Sequence, residues 1–135
     1  MGAVRSDLAS IGDDEFRLDR VRLDGIRIVA VHGDCDLDSA RELRNALTAE
    51  LEGDDGSGLV IDLSGATVFD STSLGVIVLA LKASRVSGRA LGIVASTPVV
   101  RLGFEVAGLD RLVPLFETRG DAILATRRPS DDDRA

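Results

Sequence analysis

The sequence predicts a single α/β domain: a mixed β-sheet of four to five strands, built as an N-terminal hairpin followed by parallel crossovers, with about four α-helices. Three observations carry this expectation. An alternating apolar segment is broken by Asp-Gly, the hydrophobic period then changes from two to that of a helix, and short continuous apolar runs alternate with helical segments thereafter. The 135 residues, 44% of them apolar, suit one domain with its own core.

The segment "VRLDGIRIV" places Val21, Leu23, Ile26 and Ile28 on one face and Arg22 and Arg27 on the other. Asp24-Gly25 between them tolerates the positive φ angles of a type I′ turn, which makes the segment a hairpin. Phe16 and Leu18 extend its first strand. After "HGDCD", Ala40, Leu43, Leu47 and Leu51 recur at helical spacing, predicting a helix from about Ser39 to Glu52 with Ser39 and Glu42 as its capping box. "GDDGSG" is a connector without the Gly-Lys-Ser/Thr ending of a phosphate-cradling loop.

"LVIDL" reads as a strand buried on both faces, and "SGATVFDSTS" as the loop that follows it. "LGVIVLALKAS" is the second helix, with Leu74, Ile77, Val78 and Leu81 on its inner side. "GRALGIVAS" supplies another buried strand. Pro98 opens a third helix and Gly108 closes it. "DRLVPLFE" then gives a last short strand and "GDAILAT" a last helical turn or two. Residues 1–14 and 128–135 lack apolar periodicity and read as flexible tails around a domain spanning 15–127.

Composition narrows the function. A net charge of −7 offers no basic face to release counterions from a phosphate backbone, so nucleic acid is not an expected partner. The single cysteine, Cys35, excludes an internal disulfide and leaves no Cys/His metal spacing. No signal-peptide pattern opens the chain, and the apolar run from Val76 to Leu81 is far shorter than the ~20 residues of a membrane span. The expectation is a cytoplasmic protein with no membrane partner, metal or cofactor.

Loops at the carboxyl ends of parallel strands gather on one edge of a sheet. "GDCDLDS", with Asp34, Asp36 and Asp38, thus becomes a neighbour of Asp70, Ser71, Thr72 and Ser73. One of the three hydroxyls is expected to cap the second helix. Exposed N–H groups and the positive end of the helix dipole favour an anion there, so a phosphorylated serine is seated without unfolding its own domain. A triad of serine, His32 and an aspartate lacks the Gly-x-Ser-x-Gly elbow. The alternating aspartates lack the glycine and terminal glutamate of a calcium loop. No catalytic residue is assigned, and the chain is not expected to be an enzyme.

Taken together, "HGDCDLDSARELRNAL", "LVIDLSGATVFDSTSLGVIVLALKAS" and "GRALGIVASTPVVRLGFEVAGLDRLVPLF" resemble the STAS domains of bacterial anti-sigma factor antagonists over roughly residues 16 to 126. The most specific part is Asp70-Ser71-Thr72-x-Leu74-Gly75. The resemblance implies a STAS fold and a partner-switching role. The unphosphorylated antagonist binds an anti-sigma factor that is also a serine kinase and so releases a sigma factor; phosphorylation of the serine after the motif aspartate, here Ser71, ends the binding, and a PP2C-type phosphatase resets it. The implied partner surface comprises Asp36, Asp70, Ser71, Thr72, Ser73 and Leu74. Ser73 stands where many members have glycine, which adds it and Thr72 as competing acceptors. A STAS subunit of a transporter or signalling assembly that is never phosphorylated is the alternative the resemblance leaves open.

Overall fold

A computed structural model describes residues 15–53 and 57–127. The expected tails and the centre of the "GDDGSG" connector lie outside the described residues. The chain opens with a hairpin of β1 (Arg17–Leu23) and β2 (Ile26–Cys35), paired antiparallel. Asp24 and Gly25 take φ values of 54° and 77°, the left-handed conformations that their type I′ turn requires.

There follow α1 (Leu37–Glu52), β3 (Leu59–Phe69), α2 (Ser71–Ser87), β4 (Leu91–Val94), α3 (Pro98–Val106), a 3₁₀ turn (Leu109–Arg111), β5 (Leu115–Phe116) and α4 (Arg119–Thr126). The five strands form one sheet in the order β1-β2-β3-β4-β5. From β2 onward every neighbouring pair is parallel.

Alternation along the strands divides the interior in two. Val29, Val31, Leu59, Ile61, Leu63 and Ile93 project to one side, where they meet Leu43 and Leu47 of α1, Ile77 and Leu81 of α2, and Val100 and Phe104 of α3. Ile26, Ile28, Val60 and Val94 project to the other and meet Ala122 and Ile123 of α4. β3 is thus covered on both faces, which explains why Leu59, Val60, Ile61 and Leu63 are all apolar and why the one charge among them, Asp62, is paired with Arg119 of α4. Val21 and Leu23 share the α4 side, but α4 packs over β3, β4 and β5, so both remain nearly half exposed.

Three sequence expectations change. β3 runs through Phe69, absorbing most of the segment read as a loop, because "SGATVF" continues to pair with β2 across two register irregularities. α1 begins two residues earlier than expected. The buried stripe of α2 is Ser73, Val76, Ile77, Ala80, Leu81 and Ser84; Leu74 and Val78 are only half-buried, and Leu79 faces outward. Helical geometry tolerates this shift because α2 is apolar on most of its circumference.

Candidate functional site

Cys35 and Phe69, the last residues of β2 and β3, are partners in the parallel register. The next residue of each strand, Asp36 or Asp70, is therefore carried to the same edge of the sheet. Each is the N-cap of the helix that follows, in extended backbone conformation. The two irregularities in the β2/β3 register precede this edge, one between Ala30 and His32 and the other between Gly33 and Asp34. Gly33 has a φ of 82° there, and a Cβ on Gly65 would stand 2.5 Å from His32 Nδ1. The glycines thus permit the local twist that such irregularities produce.

Asp36 Oδ1 accepts the N–H groups of Asp38 and Ser39 at 3.1 and 3.4 Å, while the Asp36 N–H donates to Ser39 Oγ at 2.9 Å. This is a capping box, but its partners are Asp36 and Ser39. Ser39 is the third helical residue, not the cap, and Glu42 lies exposed farther along α1. A carboxylate accepts from two N–H groups at once, which accounts for the earlier helix start.

Asp70, not a hydroxyl, likewise caps α2, accepting the Ser73 N–H at 2.9 Å on Oδ1. The three hydroxyls consequently separate. Ser71 and Thr72, the first two helical residues, are exposed, and their N–H groups lie outside the Asp70 cap. Ser73 is fully buried, with its Oγ 2.8 Å from the carbonyl oxygen of Cys35 and 3.0 Å from Asp70 Oδ1. This corrects its expected place on the partner surface: a side chain enclosed at the β2/α2 junction is presented neither to a partner nor to a kinase. Leu74 is half-buried against the core.

The acidic loop is ordered by its own contacts. Thr67 Oγ1 donates to Asp34 Oδ1 at 2.6 Å, and Ser39 Oγ approaches the Asp34 carbonyl at 3.1 Å. Cys35 is fully buried, and desolvation pushes its thiol above the usual range. His32 Nε2 pairs with Asp19 Oδ2 on β1 at 3.0 Å. Among the described residues no cluster of His, Cys, Asp and Glu is arranged to hold a metal, and no helix is long and apolar enough to cross a membrane.

Two apolar residues at this edge escaped sequence reading. Leu37, the first residue of α1, is 69% exposed, and Val68 on β3 is 42% exposed. Leu37 carried a signal: it lies between Asp36 and Asp38 and outside the Ala40, Leu43, Leu47, Leu51 stripe. The edge can thus offer a hydroxyl for modification, an acidic rim and apolar contact area.

The STAS domain family matches residues 17–122, most of the described chain. The chain belongs to the STAS domain family. This STAS domain is 32% identical over 104 residues to the anti-sigma-F factor antagonist RsfB of Mycobacterium tuberculosis, covering 76% of this chain and 83% of that protein. It superposes on the crystal structure of an anti-sigma factor antagonist from Mycobacterium paratuberculosis with a TM-score of 0.75 and 28% identity, covering 84% and 96% of the two chains. The Bacillus cell fate determinant SpoIIAA, solved in a phosphorylated form, shares the fold at a TM-score of 0.63, with 16% identity over 84% of this chain and all of that one.

Proposed function

We propose that this STAS domain is an anti-sigma factor antagonist of a partner-switching pathway, and that Ser71 is its switch. In the unmodified state the edge formed by Asp36, Asp70, Ser71, Thr72 and Leu74 binds an anti-sigma factor with serine kinase activity and frees the sigma factor. Phosphorylation of Ser71 ends the binding, and a PP2C-type phosphatase restores it.

The observation that carries this reading is the exposed Ser71, directly after the Asp70 cap and across the edge from Asp36, in a chain similar to RsfB. The chemistry follows from the position. A phosphate on Ser71 adds about −1.5 to −2 charges beside two carboxylates. Its local seat is tolerable, because the helix N-terminus offers N–H groups and a favourable dipole. The cost falls on the partner, which meets added bulk and a stronger negative charge.

Incubation of the full chain with ATP and its cognate anti-sigma kinase tests the reading. Label on Ser71, lost in Ser71→Ala, is expected. Label that persists in Ser71→Ala, or an unmodified chain that binds the kinase without ever being labelled, overturns the switch.

A further inference from the structure

We infer that Ser73 is a positioning residue that couples the two capped helix starts, so that a charge placed on Ser71 is felt as a displacement of the Asp36 loop. The inference rests on the proposed role of Ser71 and concerns how that site communicates with its neighbour.

The carbonyl oxygen of Cys35 is the junction. It accepts the Asp70 N–H at 3.3 Å, and the Ser73 hydroxyl lies 2.8 Å from it. The same hydroxyl is 3.0 Å from Asp70 Oδ1, the oxygen that takes the Ser73 N–H, so its one proton is shared between the strand carbonyl and the cap carboxylate. On the α1 side, Ser39 occupies the equivalent third helical position. Its Oγ accepts the Asp36 N–H and lies 3.1 Å and 3.2 Å from the carbonyl oxygens of Asp34 and Asp36. Ser39 and Ser73 are both buried, 7% and 0% exposed, and they hold the two ends of one peptide group: Ser73 Oγ lies on the Cys35 carbonyl oxygen and Ser39 Oγ on the Asp36 N–H.

The Cys35–Asp36 peptide is therefore held from both sides by the third residue of each helix, its carbonyl oxygen by Ser73 and its N–H by Ser39. Asp70 cannot shift away from a phosphate on Ser71 without drawing on Ser73, and Ser73 cannot shift without disturbing the Cys35 peptide that leads directly into Asp36. Glycine or alanine at position 73 keeps the N–H bond to Asp70 and removes this link. Buried hydrogen-bonded networks of this kind are enclosed in a low-dielectric setting where lost partners are costly, which favours concerted movement over local relaxation.

The test uses the full chain with phosphoserine installed at position 71 during translation, so that no kinase is needed. Amide NMR spectra are compared with and without the phosphate in the wild-type and Ser73→Ala backgrounds. Shifts at Asp34, Asp36 and Ser39 are expected in the wild type, lost in Ser73→Ala and restored in Ser73→Thr, which retains the hydroxyl. Equal shifts in wild type and Ser73→Ala overturn the coupling, as does a wild-type Asp36 loop that does not respond. If Ser73→Ala fails to fold, amide exchange in the wild type decides: altered protection of Ser39 and Ala40 on phosphorylation supports the coupling, and unchanged protection overturns it. Kinase labelling of Ser71 remains a separate measurement, so failure of the coupling and failure of the switch are told apart.

Discussion

Arg119, the first residue of α4, sets its Nη2 2.9 Å and its Nε 3.0 Å from the same oxygen of Asp62, Oδ2, across the α4 side of the sheet. The other oxygen, Oδ1, accepts the Ser64 N–H at 3.0 Å. Burial alone pushes the Asp62 carboxyl up, but its bonds to Ser64 and to Arg119 outweigh this, and the net effect is downward. A carboxylate with a depressed folded-state pKa adds stability above its unfolded value of about 3.9, and that stability is lost as pH falls through the folded value. Arg119→Ala is expected to cost about 1–3 kcal/mol at neutral pH, since Asp62 remains buried with a single class of donor. The deficit should shrink below about pH 4, where the carboxylate is protonated in the unfolded chain and increasingly so in the folded one. Urea unfolding monitored at pH 7 and pH 3 checks both statements; an equal deficit at the two pH values refutes the assignment.

Removing the α2 cap should be measurable without any partner. Asp70→Ala takes away the acceptor of the Ser73 N–H and leaves the start of α2 uncapped. A loss of about 0.5–2 kcal/mol is expected in chemical denaturation. Asp70→Asn, which retains a side-chain oxygen, should lose less.

Partner binding should respond to charge at Ser71. Ser71→Asp is expected to weaken binding to the anti-sigma kinase by about 2 kcal/mol, roughly 30-fold, while Ser71→Ala preserves it. Calorimetry with the cognate kinase measures the difference; equal affinities for the two variants would remove the electrostatic basis of the switch.

Leu37 provides a test of the surface that is independent of phosphorylation. It is 69% exposed beside Asp36, so Leu37→Ser should leave the unfolding midpoint nearly unchanged. If a partner covers this edge, affinity should fall by about 1–2 kcal/mol from the lost apolar burial. Unaltered binding would place Leu37 outside the interface.

Phosphopeptide mapping separates the three hydroxyls. Phosphate is expected on Ser71 and absent from Ser73 in the native chain, because Ser73 is enclosed and already hydrogen-bonded. Modification of Ser73 in folded protein would contradict its placement.

The hairpin, α1 and α3 were legible because each carries a local signal: Asp24-Gly25 for positive φ, a regular leucine stripe, and Pro98 at a helix start with Gly108 in the left-handed conformation beyond its end. The extent of β3 was not, because "SGATVF" has small and polar residues that resemble a loop, and only its pairing with β2 makes it strand. The caps were misassigned for a related reason. Serine, threonine and aspartate are all good N-caps, and the choice of Asp36 and Asp70 follows from where the paired strands end, a property of the sheet. The motif around Ser71 was visible as a sequence, whereas the burial of Ser73 required the Cys35 carbonyl, thirty-eight residues away, to be set against it.

β1 has a further consequence. It forms one border of the sheet, seven residues long, and among the described residues no strand pairs with its outer side. Such a border is a template for end-to-end polymerisation through backbone hydrogen bonds. Here Arg17, Asp19, Arg20 and Arg22 fill most of it, and Arg20 is drawn back to Glu50 of α1 at 2.7 Å. Another chain laid alongside would bring its own copies of these charges close, with the arginines in excess. Replacing these arginines with threonine or valine would remove that charge repulsion and turn the border into an aggregation hazard.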